Sequence, residues 1–280
     1  MLILPLALSL VSGLFVGLSL GLTGSGGSLF AIPLLLFVVG LEMKDAVPIS
    51  MLVVGLTALI GAVSAFKKNL LLTRPTLIFG FAGMLSAPLG LILGEITPET
   101  IRTSCFSMLA IIIAIRMGKQ SFNVQSKYVV RAKLELEGSN GVCRFSPEGQ
   151  LGFTLPCAIA LGASGAVVGI LSGFFGVGGG FLIVPALMYV IRMEMPYAIG
   201  SSLAIIAMIG LSGGAISGVS VILEQPSAFL FGVGSLLGML SGRVIASKLA
   251  GLLLNRLFAT ALFITGTAMI VQIFGGENVI

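Results

Sequence analysis

The sequence predicts an all-α polytopic membrane protein built from two inverted-topology repeats of about five hydrophobic segments each, and three observations predict it. The first is composition: 57% of the 280 residues are hydrophobic and 9% are charged, with a mean hydropathy of +1.16. Such a chain asks for lipid as its solvent. The second is a glycine-rich phrase that occurs twice, from Gly17 through Gly21, Gly24, Gly26 and Gly27 to Pro33, and again from Gly169 through Gly173, Gly176, Gly178 and Gly179 to Pro185. The register holds onward, with Glu42-Met43 against Glu194-Met195, Ala46 against Ala198 and Ser50 against Ser202, which marks two homologous halves. The third is the distribution of charge.

Apolar runs near 2–22, 28–41, 46–66, 76–95 and 102–118 make up the first half, and runs near 151–175, 181–191, 197–220, 227–246 and 254–274 the second. The domains are therefore 1–118, a linker 119–150, and 151–280. The linker carries Lys119, Lys127, Arg131, Lys133 and Arg144, so the positive-inside rule places it in the cytoplasm, in agreement with Lys67, Lys68 and Arg74 two segments earlier. In the second half the bias reverses. The connection near 221–226 has Glu224 alone, whereas Arg243, Lys248 and Arg256 surround the next one. An odd number of segments per half and a cytoplasmic linker then give halves of opposite orientation, with both termini outside and the protein multi-pass in the inner membrane. Met1–Leu22 has neither a basic start nor an Ala-x-Ala-like site after it, so it reads as a retained first span.

The second segment of each half is too short for an ordinary crossing. Residues 28–41 rise about 20 Å as a helix against roughly 30 Å of hydrocarbon, and Pro33 interrupts them. Spanning and re-entrant forms both remain open, and both keep the topology.

The clustered glycines, Gly24, Gly26 and Gly27 with Gly176, Gly178, Gly179 and Gly180, permit positive φ and close approach of a ligand to backbone, just before a helix whose first N–H groups lack partners. A helix break at membrane depth is tolerable where it lines a wet cavity or a ligand site. Thr23, Ser25 and Ser28 add uncharged donors, and Ser50, Ser201, Ser202 and Thr57 are candidates for the same lining. The competing reading for serine and threonine is glue within or between helices. Small-residue packing accounts better for Gly17, Gly21, Gly169 and Gly173 at four-residue spacing. Arg243 lies in an apolar run and is the candidate cationic partner for an anion. Arg102 and Arg256 read as interfacial anchors, and Glu42 and Glu194 as solvated end residues.

Enzyme readings lack parts. There is no histidine, which removes the base for Ser164 in Gly162-Ala163-Ser164-Gly165 and any His-based zinc motif. No Gly-x-x-x-x-Gly-Lys-Ser/Thr occurs, and Phe181 stands where a dinucleotide fingerprint needs its third glycine. Cys105, Cys143 and Cys157 have no metal or redox spacing. No catalytic residue, metal site or cofactor is expected. The net charge of +5 suits cytoplasmic loops rather than nucleic acid.

The paired Gly-x-Gly-Gly-x-x-x-x-x-Pro pattern, Gly24 to Pro33 and Gly176 to Pro185, resembles the sulfite exporter TauE/SafE family of membrane permeases. The resemblance extends to Pro88-Leu89-Gly90 and the Arg102 region, and to Gly242-Arg243 and the Arg256 region. It covers nearly the whole chain outside the linker. It implies transport of small sulfur-containing anions, sulfite or organosulfonates, across a bacterial-type inner membrane. One departure is Ser28 where the second half has Gly180, which makes the half-sites unequal. Each negative charge leaving a cell with a negative interior gains about 2.3 kcal/mol per 100 mV, so export needs no acid relay. The resulting expectation is export by alternating access, one half rocking against the other, with substrate held by backbone N–H groups of both breaks. Import of sulfate-like or other small anions and a non-transporting scaffold or sensor are the alternatives. The coupling ion and oligomeric state are not legible.

Overall fold

The computed structural model describes residues 3–24, 27–115, 144–145, 151–152, 155–191, 195–246, 260 and 263–267. Ser25, Gly26, Glu194, Lys248, Arg256 and nearly all of the 119–150 linker and of the 254–274 segment lie outside them.

Helices occupy the expected segments: α1 (Ile3–Thr23), α2 (Ser28–Leu34), α3 (Met43–Lys67), α4 (Thr73–Ile96), α5 (99–115), α6 (Leu155–Phe175), α7 (Gly180–Val190), α8 (Met195–Glu224) and α9 (Pro226–Ala246). Six of these, α1, α3, α4, α6, α8 and α9, are long and apolar enough to cross a membrane. The one strand pairing among the described residues is a two-residue antiparallel pair, Arg144–Phe145 with Leu151–Gly152.

The short second segments keep their shortness. The apolar helix over Ser28–Val39 rises about 18 Å and α7 about 16 Å, well below roughly 30 Å of hydrocarbon. Pro33 sits inside α2, where its ring removes a donor and crowds the preceding turn. The helix widens directly afterwards into a π-turn over Leu35–Val39, which stops at Gly40 with φ +77°.

Glycine seams determine which helices meet. On α1, a Cβ at Gly13, Gly17 or Gly21 would land on the carbonyl of Phe231, Ser235 or Met239, and on α9 a Cβ at Gly234, Gly238 or Gly242 would land on the carbonyl of Leu10, Leu14 or Leu18. The same construction joins α6 to α4: Gly165, Gly169 and Gly173 face the carbonyls of Phe79, Gly83 and Ala87, and Gly90 faces that of Ile170. These backbones approach so closely because neither side has a side chain between them, which is how membrane helices gain contact without a hydrophobic driving force. The offset that carries Gly17 to Gly169 also carries Ser235 to Gly83 and Leu18 to Ile170. The second seam thus repeats the first in register, with the halves exchanged.

α3 and α8 form the centre, crossing where Gly55 meets Gly210. Their apolar windows are the most buried of the six, at 78% and 67% of the window's residues against 39–44% for the other four. The outer helices present Val11, Phe15, Phe81, Leu85, Leu89, Val167, Phe229 and Leu240 outward, an apolar surface fitted to lipid.

Candidate functional site

Between α1 and α2, and between α6 and α7, the chain breaks. Gly24 ends the first of these helices at φ +72° and Gly176 the second at φ +73°, a conformation that costs an L side chain roughly 1–2 kcal/mol. Each break is pressed against the opposite half. A Cβ on Gly24 would enter Ile199 of α8, and one on Gly176 would enter Val47 of α3.

Serines clamp the breaks in the same crosswise way. The Ser202 hydroxyl donates to the Gly24 carbonyl at 3.2 Å while lying 2.9 Å from its own-helix carbonyl of Ile199. Ser50 donates to the Gly176 carbonyl and lies 2.8 Å from that of Val47. Both serines are fully buried. These hydroxyls are spent on backbone carbonyls, so their effect is to fix which way the break's peptide groups face.

The amides are the other half of that geometry. Gly176 N–H still donates to Ser172 O at 2.8 Å, and Gly179 O receives Leu182 and Ile183. Among the described residues, the N–H groups of Val177, Gly178 and Gly179 make no hydrogen bond, and all three residues are buried. Gly178 and Gly179 have φ of +67° and +68°. Buried backbone donors are nearly always paired, and consecutive amides turned by positive φ form a concave donor set suited to an anion. Gly178 lies between the halves, with its Cβ position 3.3 Å from Val54 Cγ1 and 3.6 Å from Ile206 Cγ2. Ser172, buried beside Gly179, has a hydroxyl with no partner among the described residues.

The two breaks are unequal. Gly27 has φ −64°, in the right-handed region, where its counterpart Gly179 is left-handed, and Ser28 opens α2 where Gly180 opens α7.

The structure therefore sets Gly24 against α8, where Ser202 holds it, and Gly176 against α3, where Ser50 holds it, with Gly178 between Val54 and Ile206 of the two central helices; Gly27, Ser28, Gly179 and Gly180 complete the two breaks, Gly27 against α1 and Gly179 against α6. It takes other candidates elsewhere. Thr23 donates to Ser19 O within α1 at 2.8 Å, and Ser201 accepts from Leu72 N–H at 3.2 Å, facing the α3–α4 connection. Thr57 pairs with Ser235 at 3.0 Å. Arg243 lies on α9 opposite Gly21, with Nη1 3.4 Å from Ile60 O. Arg102 differs from the interfacial anchor expected of it: it is 5% exposed, and its Nε donates to Phe174 O at 2.7 Å, at the end of α6. Ser172 was absent from the expected set because its counterpart is Leu20, so comparison of the repeats gives no signal there.

A cavity of about 620 Å³ lies at the N-terminal end of α3, lined by Met43–Asp45, Val47, Pro48, residues Leu91 and Gly94 to Ile96 of α4, the connection Thr97–Glu99, and Arg102. Val47 both lines this cavity and covers Gly176, so it stands at the side of the cavity nearest the second break. Among the described residues no cluster of His, Cys, Asp and Glu could hold a metal ion.

Comparison with known proteins agrees with this architecture. The family model described as "Sulfite exporter TauE/SafE" matches residues 9–269. A "Probable membrane transporter protein" of Xylella fastidiosa strain Temecula1 is 33% identical over 261 residues, covering 92% of each chain. A protein of the same description from strain 9a5c is 31% identical over 263 residues, again 92% of each. The "Probable membrane transporter protein YdhB" of Bacillus subtilis is 23% identical over 254 residues, 89% of this chain and 92% of its own. No solved structure matches.

Proposed function

The chain belongs to the sulfite exporter TauE/SafE family, and on that premise we propose that this membrane transporter exports a small sulfur-containing anion, sulfite or an organosulfonate, held by backbone N–H groups at the glycine breaks. The observation that carries the reading is the run of three buried amides at Val177, Gly178 and Gly179 without a partner among the described residues. Neutral donors fixed in place stabilise an anion while placing no cation at membrane depth that would trap it.

Topology supports the same reading. Every principal seam is unchanged when the halves are exchanged: α1 on α9 becomes α6 on α4, and α3 on α8 maps onto itself. That is the pattern a pseudo-two-fold relation between the halves produces, and transporters built this way hold their site at the repeat interface. Our reading takes the repeat as inverted on the odd number of segments per half and the positive-inside rule, with domains 1–118 and 151–280 joined by a cytoplasmic linker 119–150 and termini outside in an inner membrane. Export is favoured by the field: an anion leaving gains about 2.3 kcal/mol per charge per 100 mV. Glu42, Glu95 and Glu99 are exposed, as acids without a relay role would be.

The test is calorimetric titration of purified protein with sulfite, sulfate, thiosulfate, methanesulfonate and acetate, beside Gly178→Val. Selective binding of sulfur oxyanions that is lost in folded Gly178→Val supports the site. Equal binding in the two proteins removes it.

A further inference from the structure

We propose that the cavity at Arg102 is a second anion site, selective for a monovalent oxyanion, that stands next to the second glycine break. The proposal rests on the reading of that break for its place on a transport path, while the binding site itself does not.

Arg102 lies in the field of Glu99 and Glu95, but among the described residues no carboxylate pairs with it directly. Of its five N–H donors, Nε is committed to Phe174 O at 2.7 Å, which ties α5 to the end of α6. Nη2 is buried and has no partner among the described residues. A buried charge is strongly destabilising unless it is paired and hydrogen-bonded. The cavity's carboxylates do not do this: no salt bridge to Arg102 occurs among the described residues, and Glu99 Oε1 instead accepts Met43 N–H at 3.1 Å. The neighbouring cation is also occupied, since Lys44 pairs with Glu42 at 2.6 Å, both largely exposed.

The wall beside the guanidinium is a glycine. A Cβ on Gly94 would stand 3.0 Å from Arg102 Cζ and 3.2 Å from Nη2, so any other residue there would crowd the fork. Gly94, like Arg102, lines the cavity. An unpartnered guanidinium N–H is matched by an anionic acceptor oxygen, such as that of a sulfonate, hydrogen sulfite or carboxylate.

The rim sets the charge. Glu95 and Glu99 are exposed and Asp45 is half-buried, all on the cavity lining. A second negative charge on the ligand doubles its attraction to Arg102 and also its repulsion from Asp45, Glu95 and Glu99, and three carboxylates against one guanidinium tip that balance against a dianion. The site therefore prefers a monoanion to sulfate.

The experiment titrates detergent-purified protein with methanesulfonate and with sulfate, comparing wild type, Arg102→Gln, Glu95→Gln and Gly178→Val. Arg102→Gln should weaken one of two methanesulfonate binding events roughly tenfold to a hundredfold, the range of a charge-assisted hydrogen bond. Glu95→Gln should raise sulfate affinity relative to methanesulfonate about twofold to fivefold, as expected for one partly solvated charge. Gly178→Val should leave the Arg102 event in place. If the glycine break binds no anion, wild type shows a single event that Arg102→Gln removes and Gly178→Val does not, which distinguishes that failure from this one. A folded, monodisperse Arg102→Gln with the wild-type titration overturns the proposal. Should that variant not fold, an unchanged sulfate-to-methanesulfonate ratio in Glu95→Gln overturns it instead.

Discussion

Gly178→Ala and Gly17→Ala, two additions of one methyl group, should fail in opposite ways. At Gly178 the new Cβ meets Val54 Cγ1 at 3.3 Å and Ile206 Cγ2 at 3.6 Å, both side-chain methyls that can yield by a few tenths of an ångström. The larger cost is φ +67°, roughly 1–2 kcal/mol for an L residue. The protein should insert, remain monodisperse and melt only a few degrees lower, since about 1 kcal/mol moves a chain of this size by roughly that much. Its anion flux in proteoliposomes should nevertheless fall at least about tenfold, because a methyl beside the Gly178 amide displaces a ligand by more than hydrogen-bond tolerance. At Gly17 the Cβ would overlap the Ser235 carbonyl, with Ser235 C at 2.6 Å and Cα at 2.8 Å. Backbone cannot yield there without parting α1 from α9, so Gly17→Ala should cost more than about 4 kcal/mol and be recovered as aggregate. The assays are size-exclusion melting and sulfite efflux on the same preparations. Wild-type flux from Gly178→Ala would refute the amide site, and a normally melting Gly17→Ala would refute the seam.

Ser50→Ala and Ser202→Ala each remove a clamp on the opposite break and should each cost about 1 kcal/mol of stability, with a flux loss in either variant that exceeds that of Ser201→Ala, whose hydroxyl faces Leu72; equal losses in all three would deny the clamps a role. Val47→Ala thins the side chain that both lines the cavity and covers Gly176, so efflux should lose saturation and leak, and an unaltered saturation curve counts against a path through that point. In a background lacking the exposed thiol of Cys105, single cysteines at Lys68 and at Glu99 should be labelled from opposite faces of oriented membranes, with Lys68 cytoplasmic; labelling from one face contradicts the topology.

The segments, the short second helices and the register between the halves were all legible, because period, length and charge are local properties of a chain in lipid. So was the division of labour among glycines: four-residue spacing marks Gly17, Gly21, Gly169 and Gly173 for helix seams, and clustering marks Gly176, Gly178 and Gly179 for a break. What was hidden depends on contact between the halves. Arg102 looks like the edge of a span, and its burial comes from Gly94 and from Phe174, a residue of the other half. Val47 and Ile199 look like any aliphatic residue until each is found covering the opposite break. Ser50 and Ser202 were visible as polar positions, but the carbonyls they hold were not. The π-turn after Pro33 needed the ring's clash to be followed into three dimensions.

The seams also decide what can move. Rocking of one intact half against the other, the expectation from the repeat, would require α1 to slide on α9 and α6 on α4, since each seam joins a helix of one half to a helix of the other. Both seams bring glycine backbone onto backbone carbonyls, and interfaces packed that closely shift as units rather than shear. The moving bodies consistent with this packing are the mixed pairs, α1 with α9 and α4 with α6, turning about the central α3–α8 crossing. The pairs are not placed alike, because α4 packs along α8 more extensively than α9 packs along α3. Alternating access asks for that inequality between equivalent elements. Cysteines at Leu14 and Ser241, both on the exposed side of the α1–α9 seam, joined by a short bis-maleimide, should leave efflux near the wild-type rate if the pair moves as one body. Arrest of efflux by that cross-link, with binding retained, would restore the halves as the moving units.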